Sequence, residues 1–175
     1  MSDVGSIPHS DPLAFFLTWT TYGSWLPGDD RGWVDGRGHV HDAEPLRAAS
    51  VRTRMAETPV SFDAGQRIAV EQAIDAHCRL RGWHLYAVHC RPQHVHVVVT
   101  AVDRGPEDVM TQLKAWCTRS LARPTRSPRR SRFRKRWWTE GGSKRRIFHE
   151  GDLAAVMTYV KDCQGIPTRD PQPSP

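Results

Sequence analysis

Trp83-His-Leu-Tyr-Ala-Val-His-Cys-Arg-Pro-Gln-His-Val-His-Val-Val-Val-Thr100 decides how this chain folds. Residues 83–90 and 94–100 are rich in β-branched and aromatic side chains, and Arg91-Pro-Gln93 is a tight connection between them. The two runs read as a β-hairpin. Successive side chains of a strand point to opposite faces, so His94 and His96 share one face near the turn. Val95, Val97 and Val99 share the other face and can be buried, and Val98 makes the histidine face apolar farther in. Two imidazoles side by side are a ready ligand pair for a divalent metal. The plainer alternative is a core strand with two hydrogen-bonded histidines.

Upstream of the hairpin, residues 62–81 carry Ile68, Val70, Ala73, Ile74 and Cys78 at helical spacing. Ser61 is the expected N-cap and Gly82 the stop. Leu13-Ala-Phe-Phe-Leu-Thr-Trp-Thr-Thr-Tyr22 reads as a strand, and its near-continuous apolar start implies a central place in a sheet. Gly23 to Gly32 is a turn-rich excursion. Residues 33–60 show no clear period; His39, His41 and Asp42 resemble metal ligands there, but a polar loop is the simpler reading.

Downstream, Asp103 to Asp108 reads as a helix start, with Pro106 in the first turn and Glu107 and Asp108 complementing the dipole. Val109, Leu113, Trp116, Cys117 and Leu121 form the apolar stripe of that helix. Arg145-Arg-Ile-Phe148 reads as a short edge strand. Asp152 to Gln164 reads as a last helix, capped by Gly151 or Asp152 and ended by Gly165 and Pro167. Leu153, Val156 and Val160 are its sheet-facing stripe, and Tyr159 lies beside that stripe. Strand, helix, hairpin, helix, basic loop and helix imply an α+β sandwich of ferredoxin-like type, with helices on one face of a central antiparallel sheet. One domain over residues 13–165 is expected, between a loose lead-in (1–12) and a proline-rich, disordered tail (166–175).

The net charge of +6 and pI near 9.5 point to an anionic partner. The charge is concentrated: Arg123, Arg126, Arg129, Arg130, Arg132, Arg134, Lys135 and Arg136 follow one another with no acid between them. Phe133, Trp137 and Trp138 lie among or beside them, and Lys144, Arg145 and Arg146 follow. Cations along phosphates and flat rings for unstacked bases are what a nucleic-acid strand needs, so residues 123–146 read as a DNA-binding segment. No apolar run approaches the roughly 18 residues that span a bilayer. The first residues lack the basic and apolar regions of a secretory signal. Cys78, Cys90, Cys117 and Cys163 are scattered, which fits reduced thiols and a cytoplasmic location.

A late tyrosine beside two metal-type histidines has a chemical logic. A phenol with a pKa of about 10 is a poor nucleophile at neutral pH. A divalent cation can polarise a scissile phosphate, so that the phenol attacks phosphorus and stays covalently bound to the DNA. The phosphodiester energy is kept, and the step can run backwards to join strands.

His94-Val-His96 followed by Tyr159 in a C-terminal helix resembles the HUH single-tyrosine transposases. Trp19-Thr-Thr-Tyr-Gly-Ser-Trp-Leu-Pro-Gly-Asp29 and the ending from Tyr159 to Pro167 look like the REP-associated branch. The resemblance runs from about Phe15 to Pro167. It implies a ferredoxin-like fold, Mg²⁺ or Mn²⁺, and single-stranded DNA presented near a hairpin. It also implies cleavage to a 5′-phosphotyrosine and a free 3′-OH, with His94 and His96 as metal ligands and Tyr159 as nucleophile. The family often takes its third ligand from a glutamine four residues past the tyrosine. Here Cys163 holds that position and Gln164 follows it, roughly 140° from the tyrosine on an ideal helix. Gln164 is the expected third ligand, with Asp162 and Cys163 as alternatives.

Related chemistries fit less well. HUH initiators place a lysine three or four residues past the tyrosine, whereas Lys161 is two past; relaxases place the tyrosine ahead of the histidines. Histidine-triad hydrolases need a third alternating histidine where Val98 stands. Two further readings remain beside the transposase: a domesticated, non-catalytic DNA-hairpin-binding protein, and a phosphodiesterase acting through a bound water. A homodimer, and a tyrosine acting in its own subunit or its partner's, are left open.

Overall fold

The computed structural model describes residues 11–35, 37, 39–122 and 134–162. Six strands and four helices appear among them: β1 (Ala14–Thr20), β2 (Trp33–Val34), β3 (Val40–His41), α1 (Pro45–Thr53), α2 (Ala64–Arg81), β4 (His84–Cys90), β5 (His94–Thr100), α3 (Pro106–Leu121), β6 (Ser143–Ile147) and α4 (Glu150–Asp162). The main sheet runs β4-β5-β1-β6, antiparallel throughout. Setting aside the small β2–β3 ribbon and α1, the order is β-α-β-β-α-β, with the first and third strands central, followed by α4. This is the ferredoxin-like α+β arrangement that the sequence predicts.

Each main element starts and stops for a local reason. Asp63, not Ser61, caps α2: its carboxylate accepts from Gln66 N at 2.8 Å while Gln66 Oε1 accepts from Asp63 N, a reciprocal capping box. Gly82 ends α2 with φ +68, a left-handed conformation that glycine adopts without penalty. Pro106 opens α3. The last helix begins at Glu150, so Gly151 and Asp152 lie inside its first turn rather than at its cap.

Burial follows the two-residue period of the strands. Phe15, Leu17 and Trp19 of β1 and Val95, Val97 and Val99 of β5 meet α2 and α3 in the larger core. Ala14, Phe16, Ala87, Val98 and Ile147 meet Val156 and Val160 of α4 on the opposite face. Helices therefore cover both faces, not one. The strand β1 is apolar on both sides because it is sandwiched, as its sequence implies.

Residues 33–60, expected as loop, contain the β2–β3 ribbon and α1. No residue of α1 is buried. His39 and His41 do not form a metal cluster: both ring nitrogens approach the Asp35 carboxylate at 3.1 Å, and His41 stacks on Trp33 with centroids 4.3 Å apart. The expected lead-in and tail lie largely or wholly outside the described residues.

Candidate active site

The hairpin places the two histidines as alternation requires. Both lie on the α4 face of β5, their ring centroids 4.8 Å apart and their planes at 78°. His96 is 3% exposed and His94 half-buried. Strand register sets His89, His96, Thr18 and Ser143 in one row across the sheet, with Thr20 opposite His94. Thr18 Oγ1 lies 2.9 Å from His96 Nδ1. In the tautomer protonated at Nδ1, that nitrogen donates to the hydroxyl and Nε2 keeps its lone pair for a cation.

Burial holds both rings neutral. Desolvation, with the nearby charges of Arg91 and His89 adding to it, pushes the His94 pKa down to about 4. His96, deeper, is pushed down to about 3 by burial first, then by His94, Arg91 and His89. A neutral imidazole is the form that binds a metal, so no proton need be displaced near neutral pH.

The helix α4 brings the phenol. Val156 and Val160 are buried against the sheet, and the half-buried Tyr159 is carried over β5 beside them. Its ring centroid is 5.6 Å from that of His96, edge-on at 76°, and 6.2 Å from Phe16. Phe16 itself stacks on His96 at 5.8 Å. Phenol and imidazoles come from one chain, so no second subunit is needed for this approach.

Solved structures similar to this chain include two transposases. One is a REP-associated tyrosine transposase bound to a REP hairpin, with 13% identity and a TM-score of 0.48, covering 91% of this chain and 70% of that one. The other is described as a transposase from Deinococcus radiodurans, with 14% identity and a TM-score of 0.42, covering 91% of this chain and 95% of that one. No protein-family model matches the sequence, and no curated protein matches it.

Among the described residues, no group of three His, Cys, Asp or Glu side chains is arranged to hold a metal. Among the described residues the two imidazoles are the nitrogen donors brought together here; by themselves they would suit Mn²⁺ better than the harder Mg²⁺. Gln164 and Cys163 lie outside the described residues; Asp162 is the exposed last residue of α4.

The predicted DNA-binding residues separate into groups. Arg126, Arg129, Arg130 and Arg132 lie outside the described residues. Trp137 is not a platform for bases: it is 3% exposed and packs on Phe62 in the larger core. Trp138 is half-buried against the same core, its indole N–H donating to Lys114 O and Thr118 Oγ1. Arg134 is a structural tie. Its side chain is 17% exposed, donates to Thr58 O at 2.9 Å and pairs with Glu57. Lys135 and Arg136 are exposed and keep outward cations, their backbone N–H groups anchored on Glu57. In the edge strand β6, Arg145 is paired with Phe16 and so shares the histidine face, its guanidinium 4.0 Å from Asp152. Arg146 turns the other way, 3.9 Å from Glu107 of α3, and Lys144 shares its face.

Thr18, His89 and Arg145 are the members of this face whose place the sequence alone did not reveal. For His89 the count from the sequence misleads: a three-residue connection would set residue 89 opposite residue 95, but the turn tightens to Pro92-Gln93, with Arg91 N donating to His94 O at 2.8 Å, and this sets His89 opposite His96.

Proposed function

We propose that this chain is a metal-dependent enzyme that cuts and rejoins single-stranded DNA through Tyr159. The observation that carries the reading is the approach of the Tyr159 ring to 5.6 Å from His96, beside a second imidazole, on one face of the sheet. The phenol oxygen forms a bond to phosphorus as the P–O3′ bond breaks. The phenol gives up one proton and the 3′ oxygen gains one, so a 5′-phosphotyrosine and a free 3′-OH result and the reverse step rejoins the strand. A divalent cation held by His94 and His96 would polarise the phosphate and offset its developing charge. Thr18 orients the His96 ring, and Phe16 keeps water from its buried side. Arg145 adds a cation to the same face, and Lys135 and Arg136 supply phosphate contacts. Single-stranded DNA beside a hairpin is the substrate that the sequence resemblance implies.

The test uses hairpin DNA labelled on the 3′ side of the cut, incubated with Mn²⁺. Labelled DNA should become linked to the protein, and Tyr159→Phe, His96→Ala or a chelator should abolish the adduct. An adduct that persists in Tyr159→Phe refutes the proposal. The exposed cations of Lys135 and Arg136 also fit a second reading: a DNA-hairpin-binding protein without catalysis. That reading expects tight hairpin binding in chelator and no adduct with any metal.

A further inference from the structure

A cavity of about 740 Å³ opens beside the end of β1, well inside the range of ligand sites. Its walls include the rings of Tyr22, Trp25 and Trp138, and its rim carries Arg54, Arg136 and Glu140. It belongs to the histidine end of the sheet. Tyr22 follows two residues after Thr20, which pairs with His94. Thr21 N donates to Gln93 O at 2.8 Å, and Ser24 Oγ donates to the same carbonyl at 3.3 Å. The segment that walls the cavity is thus tied to the residue preceding His94.

The two indoles are fixed, and their N–H groups are already used. Trp25 Nε1 donates to Gly32 O at 2.7 Å, and Trp138 Nε1 donates to Thr118 Oγ1 at 3.0 Å. What remains for a ligand is aromatic surface: Trp25 is 39% exposed even with the Arg31 guanidinium 5.4 Å from its ring centroid. Arg136 holds its guanidinium 5.9 Å from the Tyr22 ring centroid, above a wall of the cavity. Gly23 suits this turn: its φ of +74 is strained for other residues, and an added Cβ would press on Pro59 Cα at 3.1 Å.

We infer that this cavity seats one or two unpaired DNA bases that flank the cut site, stacked on Trp25 and Tyr22 with Arg54 and Arg136 against their phosphates. The inference rests on the single-strand DNA reading and adds the place where the flank is held. A flat, uncharged ring fits aromatic walls, two cations at the rim fit a phosphodiester, and a paired base could not enter without leaving its stack. Glu140 offers an acceptor to a base amino group, which disfavours thymine.

The test is binding, not cleavage. The Tyr159→Phe chain in chelator is titrated with a fluorescent hairpin bearing a single-stranded extension, with the same hairpin lacking it, and with an abasic nucleotide at each extension position in turn. An abasic substitution at one or two positions should weaken binding about 5- to 100-fold. Trp25→Ala should weaken binding of the intact extension by a similar factor, spare the blunt hairpin, and lose the sensitivity to the abasic site. Equal affinity with and without the extension, or full abasic sensitivity retained in a folded Trp25→Ala chain, overturns the inference. Should Trp25→Ala not fold, 2-aminopurine in the extension serves instead: stacking quenches its emission at one position, and emission unquenched at every position overturns the inference. A chain that binds extensions in this pattern but never forms the adduct sinks the cleavage reading alone. One that forms the adduct without extension sensitivity sinks this inference alone, and binding to neither DNA sinks both.

Discussion

Acid should destabilise the metal-free protein through the two histidines. In the unfolded chain each imidazole takes up a proton near pH 6.5, whereas in the fold His96 resists until about pH 3 and His94 until about pH 4. Between those limits the unfolded state binds more protons, so stability is full above pH 6.5 and is lost as pH falls. From pH 7 to pH 5, His96 alone should cost about 2 kcal/mol, since it is nearly all protonated when unfolded and nearly all neutral when folded. His94 is half-buried, and with screening by solvent its share is nearer about 1 kcal/mol. A total of about 3 kcal/mol is a large part of the roughly 5–15 kcal/mol that holds a typical domain together. Urea unfolding followed by circular dichroism in chelator, at pH 7, 6 and 5, measures it. His96→Gln cannot take up the proton, so it should lose about 2 kcal/mol of that pH dependence. An identical fall in wild type and His96→Gln would show that the ring is not shielded as described.

Four further outcomes follow from named contacts. Thr18→Val removes the hydroxyl beside His96 Nδ1 at nearly constant volume; it should weaken Mn²⁺ binding about 10- to 100-fold in calorimetry, and unchanged affinity would sever Thr18 from the site. Trp137→Ala should cost about 3–5 kcal/mol of stability while leaving DNA affinity per folded molecule unchanged. By contrast, Arg136→Ala should leave stability nearly unchanged and flatten the salt dependence of DNA binding by about one unit of slope. Gly142→Ala should destabilise by at least about 1–3 kcal/mol in urea unfolding, because φ is +140 and the new Cβ would meet Thr18 O at 2.7 Å.

The sheet and its histidine pair were legible because alternation leaves little freedom: once residues 94–100 form a strand, His94 and His96 must share a face with Val98. Tyr159 was legible as a neighbour of the Val156–Val160 stripe. The helix α1 was not, because it buries none of its side chains and so carries no apolar period to read. Trp137 misled for a different reason. It is flanked by Arg134, Lys135 and Arg136, whose charges suggest an outward face, yet the chain there pairs with the end of β1 through Thr21 and Trp138 and turns the indole inward. Register across separate strands is likewise invisible to local patterning. That is why Arg145, set beside Phe16 by the β1–β6 pairing, joined the site only in the structure.

Tyr159, the proposed nucleophile, rides on a more lightly held helix than those packed on the other face of the sheet. On its sheet-facing side α4 buries Val156 and Val160 fully, against the six fully or nearly fully buried contributions that α3 makes to its own packing. Helix opening and global unfolding are then separate events with separate free energies, and amide hydrogens of residues 153–160 should exchange before those of β1 and β5. Under the proposed function, competence becomes a local equilibrium: undocking one helix withdraws the phenol and bares Phe16 and Val98, while the imidazoles stay where the central strands hold them.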